Sequence, residues 1–316
     1  MLQEVFRIPF VDLPIYGYGL MLVIGFLLAV RVGQFLARRV GVDPELVMNA
    51  GLLALVTGIL GARVSHILEN LPEFTRHDRS MGSNLLSMLN IRSGGLTYYG
   101  GFLVAFPVLV WYALHKRIPV RLGMDIVAPG LMIGLGIGRI GCFMNGCCYG
   151  AQCDLPWAVR FPYDSIPYQD EFVEGKVQPP HELILDNGAG RPELMPARRA
   201  KSIPALSALA SNEHSRWLHP AQLYSTITAV LIAAICVAYF TLPHAPGRVF
   251  AMMLILEGPT RYLLELLRVE PPVVSIGTHG LSLSMVLGIG IFVLGGILWM
   301  VFGHRPAPAI APAPSA

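Results

Sequence analysis

Ile126-Val127-Ala128-Pro129-Gly130-Leu131-Met132-Ile133-Gly134-Leu135-Gly136-Ile137-Gly138-Arg139-Ile140-Gly141-Cys142-Phe143-Met144-Asn145-Gly146-Cys147-Cys148-Tyr149-Gly150 is the stretch on which the fold turns. Its first half, 126–137, carries no charge and reads as the inside of a membrane helix. Arg139 then stands where that helix should be ending, near residue 140. Gly138, Gly141, Gly146 and Gly150 let the backbone approach a neighbour closely and turn in ways other residues resist. A guanidinium beside exposed backbone N–H groups is a common way of holding phosphate. The chemistry suggested is a phosphate-bearing lipid held at a membrane surface.

Composition supports the membrane half of that reading. Hydrophobic residues make up 54% of the 316-residue chain and charged residues only 14%, against roughly 25% charged in soluble proteins. About seven segments have the length needed to cross a hydrocarbon core of ~30 Å. They lie near 15–37, 46–68, 95–114, 122–140, 220–241, 248–268 and 281–303, so an all-α polytopic membrane protein is predicted. The fourth is rich in glycine, and the sixth carries Glu257, Arg261, Glu265 and Arg268; a count of six follows if either is re-entrant. A net charge of +3, without a long run of Lys and Arg interleaved with aromatics, excludes a nucleic-acid partner.

Short loops set orientation. Arg38 and Arg39, then His115, Lys116, Arg117 and Arg121, then Arg248, then His304 and Arg305 all fall on one side of seven crossings. That side is predicted to be cytoplasmic, with the N-terminus outside and the C-terminus inside. Arg76, Arg79 and Arg92 on the other side are accompanied by Glu69, Glu73 and Asp78. The first apolar run has no basic leader and exceeds the length of a signal h-region, so no removable signal is expected. Residues 1–303 are read as one integral membrane domain, with 141–219 inserted as an external head between spans four and five. The Pro/Ala-rich 304–316 is read as a disordered tail. The second half of the head is turn-rich, and the chain carries no convincing internal repeat.

Four of the five cysteines, Cys142, Cys147, Cys148 and Cys153, cluster at the start of that head. The spacing admits small packing residues, a disulfide, a metal site or a redox relay; zinc sites usually show C-x2–4-C pairs or nearby histidines, which this spacing lacks. Cys236 sits in an apolar span and reads as core. In span six, Glu257, Arg261, Glu265 and Arg268 stand at i, i+4, i+8 and i+11, on one helical face. An ionised group at bilayer depth costs ~2.5–3.5 kcal/mol on insertion scales, so these residues face the bundle or a wet cavity. Alternating signs suit mutual neutralisation; they also suit Arg261 facing a lipid phosphate while Glu265 orients it or another arginine. Arg63 in span two is a third buried-arginine candidate, whereas Arg31 reads as a snorkelling residue. Tyr16-Gly17-Tyr18-Gly19 and Gly94-Gly95-Leu96-Thr97-Tyr98-Tyr99-Gly100-Gly101 place tyrosines among glycines at the outer ends of spans one and three. Such tyrosines serve as interface anchors or, with glycines beside them, line a close-approach site. His219-Pro220-Ala221-Gln222-Leu223-Tyr224 opens span five, where His219 and Gln222 can cap, pack or reach a substrate.

Taken in order, these segments resemble the prolipoprotein diacylglyceryl transferase family. The motifs are YGLM at 18–21, GAR at 61–63, GGLTYYGG at 94–101, GRIGCFMNGCCYG at 138–150, HPAQLY at 219–224 and TRYLLELLR at 260–268. The resemblance implies a bacterial cytoplasmic-membrane enzyme, monomeric, without metal or other cofactor. It implies transfer of the diacylglyceryl group of phosphatidylglycerol to the lipobox cysteine of a preprolipoprotein signal peptide, giving a thioether and glycerol phosphate. Catalytic roles then fall to Arg139, Arg261 and Tyr99, and substrate contacts to Tyr18, Arg63, Asn145, Gly150, His219, Gln222, Glu265 and Arg268. Many members carry histidine where Tyr99 stands, asparagine at Cys142, glutamate at Cys147 and glutamate at Ser225. Phenols titrate near ~10, so a tyrosine serves as base only when arginines depress it; the base stays open. The competing readings are a transporter of anionic solutes, a membrane thiol oxidoreductase using the clustered cysteines, and a relative that binds phosphatidylglycerol without transferring it.

Overall fold

The computed structural model describes residues 4–8, 13–75, 80–90, 95, 97–186, 192–268, 274–276 and 279–303. Gly94 and Leu96 of the glycine–tyrosine motif, the charged residues Arg76, Asp78, Arg79 and Arg92, and the tail 304–316 lie outside them.

A short antiparallel hairpin, β1 (Glu4–Ile8) and β2 (Leu13–Tyr16), leads into α1 (Gly17–Arg39). Arg38 and Arg39 close α1, where cations suit the negative end of a helix dipole. The next helix, α2 (Pro44–Glu69), starts sharply: Asp43 accepts from the Glu45 amide at 2.9 Å, and Pro44 needs no N–H partner in the first turn. After it come α3 (Leu71–Phe74), α4 (Met81–Leu89), α5 (Tyr98–His115) and α6 (Val120–Asn145). The head follows, with α7 (Ile166–Val173), β3 (Ile184–Asp186) paired to β4 (Pro192–Leu194), α8 (Ala197–Lys201) and α9 (Pro204–Asn212). The chain then returns through α10 (Ala221–Phe240), α11 (Arg248–Leu266), the β5 (Val274–Ile276) and β6 (His279–Leu281) hairpin, and α12 (Leu283–Phe302).

Among the described residues, seven long helices match the seven segments read from the sequence. Five of them, α1, α2, α6, α10 and α12, are long and apolar enough to cross a membrane. The shorter α5 is apolar over Tyr99–His115, and α11 has the length but carries Arg248, Glu257, Arg261 and Glu265. Large apolar side chains point outward along these helices: Leu103 is 70% exposed, Leu60 56% and Leu231 57%. Exposed apolar stripes of this extent belong against lipid, so the protein is a multi-pass membrane protein.

The chain forms two compact units, one drawing on residues up to Ala29 and from Ala128 onward, the other on residues 30–127. In the second, α2 and α5 touch backbone to backbone. A Cβ on Gly61 would stand 2.6 Å from the Gly100 carbonyl oxygen, and one on Gly101 2.9 Å from that of Gly58. In the first, α11 and α12 meet the same way, a Cβ on Gly258 falling 2.7 Å from the Gly288 oxygen. Lipid gives helices no hydrophobic reason to associate, so small residues that allow such close contact carry the packing.

One boundary differs from the sequence reading. The fourth helix was expected to stop near 140, but α6 runs to Asn145. Its glycines do not end it because neighbours occupy the space their side chains would fill. Gly136 lies against α10, whose Thr226 hydroxyl donates to the Gly136 carbonyl at 3.0 Å, and Gly141 lies against Tyr18 and Met21 of α1. The head accordingly begins after Asn145, and its turn-rich second half is built around a core of its own. Tyr163, Tyr168, Leu183, Met195 and Ala200 pack together. The Tyr163 hydroxyl donates to the carbonyls of Leu183 and Met195, at 3.2 and 2.7 Å. Tyr168 donates to Glu213 at 2.8 Å. Burial first, and that carboxylate second, push the Tyr168 phenol above its ordinary range, keeping it a donor.

Candidate active site

The site of the first unit is assembled from the end of α6, the turn after it, the start of α10 and the last turns of α11. Arg139, Cys148, Glu257, Arg261, Glu265 and Arg268 line one small cavity of ≈ 30 Å³, with Ser225 and Ser284 also on its wall. The charged face read along the sixth span is thus real, and it turns inward. Glu265 is 4% exposed. It accepts from Ser282 at 3.0 Å and pairs with Arg268 at 3.3 Å, so the arginine it orients is Arg268. Arg261 reaches Ser284 at 3.5 Å, while its buried Nε has no protein partner. Ser282 and Ser284 had no counterpart among the residues singled out in the sequence; their signal was the S-x-S that opens the last apolar run, where Ser282 caps α12 through the Met285 amide at 3.3 Å.

The turn that brings Cys148 to this cavity depends on two left-handed residues, Gly146 at φ +80° and Cys148 at φ +61°. A non-glycine residue there costs backbone energy that only surrounding contacts can hold. Gln222, 1% exposed, donates to the Cys147 carbonyl at 2.8 Å, and the Cys147 amide donates back to the Cys142 carbonyl at 3.1 Å. Gln222 is therefore a positioning residue for the cysteine turn. The turn ends at Gly150, whose amide donates to the His219 carbonyl at 3.0 Å; a Cβ there would stand 2.6 Å from that of His219 and 2.9 Å from the Leu267 oxygen. Only glycine fits where three segments of the site meet. The His219 ring contacts the Tyr224 hydroxyl at 3.3 Å, and that hydroxyl accepts from the Trp157 indole at 2.7 Å.

Three of the clustered thiols, Cys142, Cys147 and Cys148, bring their sulfurs within 4.8 Å of one another; Cys153 is not in this group. Thiol hydrogen bonds from Cys142 and then Cys147, with the positive fields of Arg139 and Arg268, hold the Cys148 thiol below its ordinary range against the effect of burial. Tyr18, 40% exposed at the start of α1, lies close enough to feel Arg139 and these thiols. Asn145 ends α6 and lines a separate pocket of ≈ 240 Å³ in the head, with Asp164 and Lys201.

Two predicted site residues belong to the other unit. Arg63 is 6% exposed, and its guanidinium donates to four carbonyls: Met88 at 2.9 Å, Gly95 at 3.0 Å, Ser87 at 2.8 Å and Asn90 at 3.0 Å. Those donors shape the segment leading into α5. Tyr99 sits on the first turn of α5, 48% exposed.

A family model described as prolipoprotein diacylglyceryl transferase matches residues 3–301. The chain is 27% identical over 283 residues to the phosphatidylglycerol–prolipoprotein diacylglyceryl transferase of Clostridium tetani, covering 89% of this chain and 92% of that one. It is 25% identical over 279 residues to the enzyme of the same name from Corynebacterium diphtheriae, with 87% and 84% covered. A 32% identical match to that of Rhodopirellula baltica spans 169 residues, 53% of this chain and 34% of the relative's length. This chain belongs to the prolipoprotein diacylglyceryl transferase family.

Proposed function

We propose that this protein transfers the diacylglyceryl group of phosphatidylglycerol to the lipobox cysteine thiol of preprolipoproteins, forming a thioether and releasing glycerol phosphate. The observation that carries this reading is the convergence of Arg139, Arg261 and Arg268 with two carboxylates on one cavity at the end of α6. Breaking a carbon–oxygen bond to phosphate puts growing charge on the leaving group, and a permanently charged guanidinium fork suits that charge best. Arg139 and Arg261 are the catalytic pair, stabilising the departing phosphate, and Arg268, held by Glu265, completes the anion site. The cavity has room for a phosphate oxygen or a water, so the two acyl chains extend from it along the lipid-facing helices.

Gly150, His219 and Gln222 build the wall against which the head group lies, with Tyr18 at its rim, and Asn145 meets substrate from the separate head pocket at the end of α6. Arg63 acts by shaping the glycine–tyrosine segment, and Tyr99, on the first turn of α5, is the third catalytic residue. Residues 1–303 act as one membrane domain, monomeric in a bacterial cytoplasmic membrane. The basic residues that follow α1, separate α5 from α6 and open α11 favour an outside N-terminus and a cytoplasmic C-terminus.

The test is transfer itself. Purified protein is incubated with phosphatidylglycerol and a lipobox peptide, and peptide mass and released glycerol phosphate are followed. A diacylglyceryl mass gain that needs the peptide cysteine is expected. Release of glycerol phosphate without peptide modification, or no reaction with the wild-type protein, overturns the proposal.

A further inference from the structure

The transfer proposed above needs the lipobox thiol to lose its proton, and an arginine cannot take one. No histidine or lysine lines the arginine cavity, which leaves Glu257, Glu265 and Cys148 as the proton acceptors of its wall. Two of the three are occupied. Glu265 is bonded to Ser282 and Arg268, and the Cys148 sulfur is held in hydrogen bonds from Cys142 and Cys147. Glu257 differs. It is partly buried one turn before Arg261 on the same face of α11, yet it makes no ion pair among the described residues. Thr260 gives its hydroxyl to the Glu257 carbonyl at 2.9 Å and approaches the carboxylate only at 3.4 Å. Ionisable side chains within membrane helices are costly and mark substrate or proton paths, so a carboxylate kept there without an ion pair is suited to proton transfer. The other charged or titratable groups on this wall are Arg139 from α6, Cys148 from the turn after it, and Arg261, Glu265 and Arg268 from α11 itself. The packed helices α10 and α12 add Ala221, Ser225 and Ser284, none of which titrates. Charge supports the same assignment. The phosphodiester of phosphatidylglycerol carries one negative charge and the departing glycerol phosphate close to two. A proton taken up by Glu257 removes a negative charge from the wall as the phosphate gains one, so wall and contents stay matched through the reaction.

We propose that Glu257 is the general base that takes the proton of the lipobox thiol as the thiol attacks, an inference that rests on the transfer reaction proposed above. The S–H proton passes to a Glu257 carboxylate oxygen while a sulfur lone pair attacks the glyceryl carbon. The sulfur–carbon bond forms, the carbon–oxygen bond to phosphate breaks, and its electron pair leaves on the phosphate facing Arg139 and Arg261. A carboxylate is base enough, because the S–H becomes strongly acidic as the sulfur–carbon bond forms. The proton passes from Glu257 to water once glycerol phosphate departs. No oxidant or reductant takes part.

Transfer to two reduced lipobox peptides, one with cysteine and one with selenocysteine, tests this across a pH series. A selenol is already ionised at neutral pH and needs no base. With the cysteine peptide, wild-type kcat should fall about tenfold per pH unit only where the carboxylate becomes protonated, well below the thiol's own pKa of ~8.5. Glu257→Gln should lower that kcat at neutral pH by about a hundredfold or more. It should also move the acid limb up to the thiol's own pKa, so that the deficit shrinks in alkali. With the selenocysteine peptide the same variant should stay close to wild type, and Glu257→Asp should recover part of the loss with cysteine. A change confined to the acid limb sets this role apart from that of Tyr99, since phenols titrate near ~10. Equal losses with both peptides, or an unchanged kcat in Glu257→Gln, overturn the base role while leaving the transferase reading intact. A wild-type acid limb that already lies at the thiol's own pKa overturns it without any variant. No transfer by the wild-type protein to either peptide defeats the transferase reading, and this role with it.

Discussion

At the scale of single residues, the proposed roles separate charge that acts on the leaving group from charge that holds other charge. Glu265 is engaged by Ser282 and Arg268, whereas Arg261 reaches Ser284 at 3.5 Å and its buried Nε has no hydrogen-bond partner among the described residues. A guanidinium with unused donors at a cavity wall is matched to a charge that develops during reaction. Arg139→Ala and Arg261→Ala should therefore each lower kcat and kcat/KM together by ~10²–10³. Arg261→Lys, which keeps the charge and loses the fork, should fall between alanine and wild type. Steady-state transfer assays check both; a rise in KM with kcat unchanged would assign these arginines to uniform ground-state binding instead. Tyr99 calls for a different signature. As a catalytic phenol it should cost, as Tyr99→Phe, about tenfold or more in kcat and displace the pH profile of kcat. Unchanged turnover would remove the phenol from the mechanism.

At the scale of elements, glycine decides which helices can meet. A Cβ on Gly258 collides with the Gly288 carbonyl and the Phe292 Cβ, both at 2.7 Å, whereas Gly290 on the same α12 has open space beside it. Gly258→Ala should thus part α11 from α12 and destabilise the protein by ~1–3 kcal/mol. It should also draw Arg261 and Glu265 away from Ser284 and Ser282 and reduce transfer. Gly290→Ala should be neutral or raise stability by up to ~1 kcal/mol, since alanine is the better helix former. Thermal unfolding in detergent ranks the two. The same reasoning explains what could be read from the sequence at this level. The existence of each long helix was visible as an uncharged run, because lipid demands one. The end of α6 was not, because whether a glycine breaks a helix depends on what lies opposite it, here Thr226 of α10 for Gly136 and Tyr18 of α1 for Gly141. The charged face of α11 was legible because i, i+4 spacing reports direction on a helix. The cysteines were legible as a cluster in sequence, but not which three converge in space, because C-x4-CC-x4-C reports nothing of the two left-handed residues that fold the turn back.

At the scale of the whole molecule, the sequence carried composition, the order of the motifs and the bias of basic residues, and each bears on a different question. Composition fixes the membrane setting; motif order fixes the family. The head was opaque, because its core is a handful of residues, among them Tyr163, Tyr168 and Leu183, drawn from a turn-rich stretch without helical or strand periodicity. Orientation rests on the basic bias alone and is the property most open to direct test. Arg38 and Arg39 end α1, Lys116, Arg117 and Arg121 border the α5–α6 turn, and Arg248 starts α11. Moving such loops across the membrane during insertion is disfavoured, so they should stay in the cytoplasm, with the head on the opposite side, where an exported signal peptide emerges. A phosphatase reporter that works only after export, inserted at the exposed head residue Gly175, should be active in cells. The same reporter inserted after Arg117 should be silent, and a fluorescent protein that matures only in the cytoplasm should show the reverse pattern. Opposite results at both positions would invert the topology and put the arginine cavity on the wrong side for a lipobox thiol. Phosphatase activity at both would mean that α6 does not cross. The two-position comparison therefore tests the orientation and the crossing of the very helix that presents Arg139.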